Sequence, residues 1–362
     1  MKRIFNLYFF IAVCSLAGIA GTFLINRMDP VRTASRDGAA MGAAVRMTVG
    51  AAKSKGELDE ILGAAFDLVG DIEKKLTGYG ASSDVSMINA NAGSTGVKVS
   101  GETWEALAAA LRAAQMTDGA YDPTIGPVAS CWRENLSKGE IPTDGEILAA
   151  SLKVGHEALR LSAPDSAFLD MEGGALDLGG IDEGYASALV RDLLREHGVT
   201  SALIEMGGSA VALGGMRDPG TPERKPWRVE IQDPSAPQGT PICAIELREG
   251  AIATAGSYER SSEAGGKRYA NIYDPAKGRP VEGRLKSTTI ISNDPAMGDA
   301  LSTAFMVTGV TQAIELMRAL PGFEAVFISE TDGGYEILAT SGLKDMLKTV
   351  PGGPSISFYD IW

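Results

Sequence analysis

Histidine is scarce in this 362-residue chain, which carries two, and cysteine occurs three times. His156 and His197 lie far apart, each in a helical-looking segment with solvated neighbours. That excludes a histidine-rich zinc site and argues against a Ser-His-Asp triad, since both need imidazoles placed among partners. Cys14, Cys131 and Cys243 are too few and too scattered for a disulfide framework or a thiolate metal site, and leave only a Cys131–Cys243 bridge open. Cations are also short: 33 Lys and Arg face 46 Asp and Glu, a net charge of −13. No basic cluster stands out, which argues against a nucleic-acid partner. Internal repeats and low-complexity blocks are absent.

What is abundant is glycine, at 44 residues, against a usual share of about 7%. The excess falls in tight turns. With 44% apolar and 22% charged residues, the chain has the composition of one large globular domain or two tightly joined ones.

Behind Lys2 and Arg3, the run Ile4 to Ile25 carries no charge and is long enough to span a bilayer as a helix. An uncleaved signal anchor fits its length best. A signal peptide cleaved near Gly18-Ile-Ala20 and a lipoprotein box at Ile11-Ala-Val-Cys14 compete with it, the latter weakened by bulky Val13. Export of the remainder is therefore expected, with the protein anchored in an inner membrane and its body extracytoplasmic. The expected organisation is a signal segment over 1–25, a linker over 26–40, a catalytic body over 41–345 and a tail over 346–362.

Within the body, Lys55 to Leu76 has apolar residues at helical spacing (Leu58, Ile61, Leu62, Ala65, Leu68, Val69, Ile72). Further helices are expected over Glu102–Thr117, Asp144–Leu159, Gly184–Glu196, Gly298–Thr308 and Thr311–Leu320. Strands are expected at Ala43–Val49, Ala202–Ile204, Val211–Leu213, Arg228–Ile231, Ala244–Leu247, Ala251–Ala255 and Thr288–Ile291. A hairpin over Phe323–Ile328 and Gly334–Leu338 closes the body. Their irregular alternation predicts a mixed α/β (α+β) fold.

The stretch Asp177-Leu-Gly-Gly-Ile-Asp-Glu-Gly-Tyr-Ala186 reads as a strand end, a glycine turn and a helix start. Such a turn lets the backbone approach a ligand closely, and a helix start offers unpaired N–H groups to an anion. Asp299 and Thr303, four apart at a helix start, share one face; hard oxygen donors of that kind suit Mg²⁺, while an acid there also serves as a helix cap. Tyr121-Asp-Pro-Thr-Ile-Gly-Pro127 is a rigid polar loop with no evident core role, and Asp122 before Pro123 suits either nucleotide recognition or a turn.

Together with Ala253-Thr-Ala-Gly-Ser-Tyr258, Tyr269-Ala-Asn-Ile-Tyr-Asp-Pro275 and Asp299-Ala-Leu-Ser-Thr-Ala304, these segments resemble the ApbE-type FAD:protein FMN transferases. The resemblance runs from about residue 40 to 345. It implies a two-lobed, T-fold-like body with a cofactor cleft between the lobes. The implied reaction is Mg²⁺-dependent cleavage of FAD and attachment of FMN to a Thr or Ser hydroxyl of an acceptor protein in a membrane redox complex, releasing AMP. It further implies a metal held by Gly180, Asp299 and Thr303, and flavin dinucleotide contacts from Met41, Tyr79, Tyr121, Asp122, Asp177, Glu183 and Ile272. Three positions depart from the family pattern: Glu183 stands where Lys is usual, Asn271 where His is common, and Ser209 where Asp is usual. Asn271 can hydrogen-bond but cannot take up a proton at neutral pH, so Asn271 and Asp274 are both expected as catalytic residues, with transfer either slower or using Asp274 instead. A member that binds or hydrolyses FAD without transferring FMN is the second reading these departures raise, and a solute-binding lipoprotein the third.

Overall fold

The computed structural model describes residues 31–78, 82–217 and 223–361, so the expected membrane or signal segment over 1–25 lies outside the described residues. The body is built on a nine-stranded sheet. Its order is Arg32–Ala40, Ala43–Ala51, Ser201–Met206, Ser209–Leu213, Gly250–Gly256, Leu285–Ser292, Glu324–Thr331, Gly334–Thr340 and Ile356–Tyr359. Neighbours run antiparallel except the last pair, which is parallel.

Successive side chains on these strands enter different cores, as a pleat buried on both faces requires. Ala202, Ile204, Met206, Val211, Ile290 and Phe327 join the core under helices Lys55–Leu76, Asp182–Glu196 and Pro295–Met317. Leu203, Ala210, Ala212, Ile291, Val326 and Ile328 join a second core. It is covered by a three-stranded sheet, Trp227–Gln232, Pro241–Leu247 and Leu347–Thr349. A third cluster packs Val128, Trp132 and Ile147 from helices Gly126–Ser137 and Asp144–Ser151 against Ala264 and Tyr269 of a hairpin. The indole of Trp132 donates to the Gly278 carbonyl at 2.8 Å, tying that helix to the loop after Asn271.

The amphipathic reading of Lys55–Leu76 matches the structure: Ser54 and Glu57 close a capping box, and six of its seven expected core residues are buried, with Leu68 half-buried. The long helix Pro295–Met317 is broken at Gly309, whose φ of 77° interrupts the turn, so the two separate helices expected there are a fair description. Though apolar enough to cross a membrane by length and composition, it packs on strands Gly250–Gly256 and Leu285–Ser292 and is a core helix.

Several expectations are corrected. Residues 32–40 are not linker but a strand paired along its length with Ala43–Ala51, the chain reversing at Met41 and Gly42 with φ of 56° and 70°. This edge strand is mostly exposed, so no apolar alternation marks it. The expected tail over 346–362 supplies two strands, Leu347–Thr349 and Ile356–Tyr359, and buried Ile361. The helix expected over Asp144–Leu159 ends at Ser151. Beyond it the Gly155 N–H donates to Thr124 Oγ1 at 2.8 Å and the His156 N–H to Asp122 Oδ2 at 2.9 Å, replacing the bonds a helix would make. The Tyr121–Pro127 loop is core material, with Tyr121, Asp122 and Thr124 all buried. The His156 side chain is 13% exposed, beside the exposed Glu157. Cys131 and Cys243 are free thiols.

Candidate active site

A cleft of about 550 Å³ opens where the glycine turn, the Tyr121 loop and the loop after strand Lys267–Ala270 meet. That volume is within the usual range for small-molecule and cofactor sites. Of the residues expected from sequence, Met41, Tyr121, Asp122, Asp177, Gly180, Asn271, Ile272 and Thr303 line it. Glu183, Asp274 and Asp299 are buried and are not among the residues that line it, and Tyr79 lies outside the described residues.

The glycine turn works by contact distance. A Cβ placed on Gly180 would lie 2.9 Å from Thr303 Oγ1 and 3.1 Å from Tyr121 Cε2, so only glycine lets the backbone pass between them. One turn on, a Cβ on Gly184 would lie 2.3 Å from the Pro295 carbonyl oxygen and 2.8 Å from Asp299 Cβ. The two glycines therefore bring helix Asp182–Glu196 against helix Pro295–Met317 and seat Thr303 beside the turn.

The expected offer of free N–H groups to an anion is overturned at this helix start. Asp182 N–H donates to the Leu178 carbonyl, Glu183 N–H to Asp182 Oδ1 at 2.9 Å and Gly184 N–H to Asp299 Oδ2 at 3.0 Å. In the turn itself, Gly179 N–H donates to Asp177 Oδ1 and Ile181 N–H to the Leu178 carbonyl. The protein's own carboxylates occupy the end of the dipole that attracts anions. Asp299 thus caps a helix, but the neighbouring one; its own helix is capped by Asp294, which accepts from Met297 N–H at 3.1 Å.

Acid crowds this spot. Burial and Glu183 push the Asp299 carboxyl up to about 7 against the opposing pull of the Gly184 N–H and Arg260, and burial with Glu183, Asp299 and Asp177 pushes Asp182 well above its ordinary range. The Tyr121 hydroxyl is buried without a hydrogen-bond partner, held protonated by burial and by Asp299, Asp182 and Asp177. Uncompensated carboxylates beside an orphaned hydroxyl suit a cation, and the Asp299 carboxylate, Thr303 hydroxyl and Gly180 carbonyl are the hard oxygens that Mg²⁺ takes. Among the described residues no three His, Cys, Asp or Glu side chains form a metal-holding group, so an ion here would rest on mixed oxygen donors.

Other expected residues prove to be spoken for. Asp122 accepts from Thr124 N–H and Oγ1 and from His156 N–H, with His156 Nδ1 3.4 Å away, which binds it into its own turn at the edge of the cleft. Asp274 accepts from the N–H groups of Ala276 and Lys277 and from Lys277 Nζ at 2.6 Å, which binds its carboxylate into its own turn. Asn271 faces the cleft, its Oδ1 accepting from the Tyr273 hydroxyl at 3.2 Å, while the Ile272 carbonyl accepts from Val281 N–H. Glu183 accepts from Gly208 N–H at 3.1 Å and from Arg260 Nη2 at 2.6 Å. Sequence reasoning missed Asp182, Arg133 and Arg260, all of which line the cleft. Asp182 sat inside the quoted motif; no local pattern marked the two arginines, because only the fold brings them there.

The family model described as the ApbE family matches residues 41–327, which cover both walls of this cleft. The chain belongs to the ApbE family. Relatives named FAD:protein FMN transferase include one from Treponema pallidum (strain Nichols), 29% identical over 94% of this chain and 95% of its own length. Another, from Klebsiella pneumoniae (strain 342), is 32% identical over 75% of this chain and 83% of its own. The solved flavin transferase ApbE from Vibrio cholerae superposes with a TM-score of 0.75 at 27% identity, covering 88% of this chain and 100% of that one. The ApbE protein of Thermotoga maritima gives 0.77 at 29%, covering 86% and 98%. The mixed α/β body described above is thus an ApbE-family fold.

Proposed function

We propose that this chain is an FAD:protein FMN transferase whose cleft, between the main body and the cluster around Trp132, receives FAD with Mg²⁺. The observation that carries the reading is the approach of Thr303 to Gly180 and of Asp299 to Gly184 at the cleft floor. The residues that would hold the ion are Asp299, Thr303 and the Gly180 carbonyl; Mg²⁺ held there would supply neutralisation of phosphate charge, a main part of the barrier reduction in phosphoryl transfer. Asp177 and Asn271 face the dinucleotide, and buried Tyr121 closes the floor. The acceptor's Thr or Ser oxygen would bond to the FMN phosphorus as the pyrophosphate P–O bond breaks and AMP departs, the hydroxyl proton passing to solvent or to the departing AMP phosphate. Residues 1–25 would anchor the protein in an inner membrane with the body outside the cytoplasm, facing an acceptor in a membrane redox complex.

Incubating the body with FAD, Mg²⁺ and an acceptor domain should add the mass of FMN to the acceptor and release AMP; intact FAD and an unchanged acceptor would refute the reading. Asn271, with no proton to take up, and the fully engaged Asp274 favour one alternative, a member that binds or hydrolyses FAD without transfer. AMP release without acceptor modification separates it. Reporter fusions on either side of residue 25 test the orientation.

A further inference from the structure

At the start of helix Asp182–Glu196 an anionic dinucleotide meets backbone donors that are already engaged. The N–H groups of Gly179, Ile181, Asp182, Glu183 and Gly184 are already spent within the protein. Four acids line the cleft, Glu73, Asp122, Asp177 and Asp182, and among the described residues only two cations do, Arg133 and Arg260. Arg133 is drawn to Asp177, 3.3 Å away. Arg260 comes from the segment after strand Gly250–Gly256 and lines the same cleft as Gly180 and Thr303, where it bears electrostatically on both Asp182 and Asp299. Its guanidinium is half exposed and gives one N–H to Glu183, whose side chain is only 10% exposed and is fixed in turn by Gly208 N–H. Four further N–H donors remain on a planar fork suited to phosphate.

We infer that Arg260, aimed by Glu183, is the side chain that grips the pyrophosphate of the bound dinucleotide. Glu183 is then a positioning residue that acts through Arg260 and does not touch the ligand. This rests on the FAD reading of the cleft. It also explains how an acid can stand at the helix start without repelling phosphate: its charge is covered by a cation that has donors to spare.

The test is a set of fluorescence titrations with FAD and with riboflavin, which lacks phosphate, in Mg²⁺. Thermal melts establish that each variant is folded. Arg260→Gln should weaken FAD binding roughly 10- to 100-fold, the scale of a charge-assisted hydrogen bond, and leave riboflavin within about twofold. Arg260→Lys should recover part of the loss, and the salt dependence of FAD binding should flatten in Arg260→Gln. Glu183→Gln should cost less than Arg260→Gln. The double variant Glu183→Gln/Arg260→Gln decides whether the loss comes from the missing arginine or from an exposed glutamate. It should stay at least about tenfold weak. Wild-type affinity in Arg260→Gln or in the double variant, or a parallel loss for riboflavin, overturns the inference alone. Wild-type protein that binds no FAD removes the inference together with the function it rests on.

Discussion

The Asp299 carboxyl is the residue with most at stake. In metal-free protein its folded pKa lies above the ordinary carboxylate value, near 7, because of burial and Glu183. Between those two values the folded state binds more protons than the unfolded one, so stability falls as pH rises through that window. Chelated wild-type protein should therefore lose thermal stability relative to Asp299→Asn from about pH 4 to pH 7, with the gap widest above 7. Excess Mg²⁺ should reverse the order at pH 8, since the ion takes the ionised form, and differential scanning fluorimetry reads both. At Gly180 a methyl group would press on Thr303 Oγ1 and Tyr121. Gly180→Ala should weaken Mg²⁺-dependent FAD binding by about tenfold or more, the scale of a strained close contact. An unchanged titration would show that Thr303 is not part of the site.

Between elements, the contact of helices Asp182–Glu196 and Pro295–Met317 fixes the cleft floor. At Gly184 the obstacle to a Cβ is a backbone carbonyl, which cannot rotate away as a side chain would. Gly184→Ala should lower Tm by roughly 2–4 °C, overpacking of this kind costing about 1–3 kcal/mol. Gly70, inside helix Lys55–Leu76, has nothing within 4 Å of a built Cβ. Gly70→Ala should raise stability by about 0.5–1 kcal/mol through helix propensity and a less disordered unfolded chain. Opposite signs at two helical glycines, measured by urea denaturation, check the packing argument directly.

Across the whole molecule, the last strands bind the ends of both sheets. Leu347–Thr349 extends the small sheet, Ile356–Tyr359 edges the large one, and Ile361 is buried in the main core. Removing residues 350–362 should cost at least about 2 kcal/mol, the burial of one isoleucine alone being worth roughly 1.5–3 kcal/mol. A truncated protein with an unchanged denaturation midpoint would return this segment to the status of a tail.

Local pattern settled what neighbours along the chain decide. The capped amphipathic helix Lys55–Leu76, the paired strands around Met206-Gly-Gly208, the broken helix at Gly309 and the glycine turn at Gly179-Gly180 each follow from spacing, capping or backbone freedom within a few residues. The motif order carried the family as well. Contacts between distant segments were left to the fold. Asp299 caps a helix 115 residues away, Arg260 meets Glu183 across 77 residues, and Asp122 accepts from the His156 N–H across 34. A carboxylate or guanidinium has the same appearance in sequence whether it faces a ligand or another side chain. Only the packing of helices on the sheet, which decides what each charge must be paired with once water is excluded, assigns it a partner.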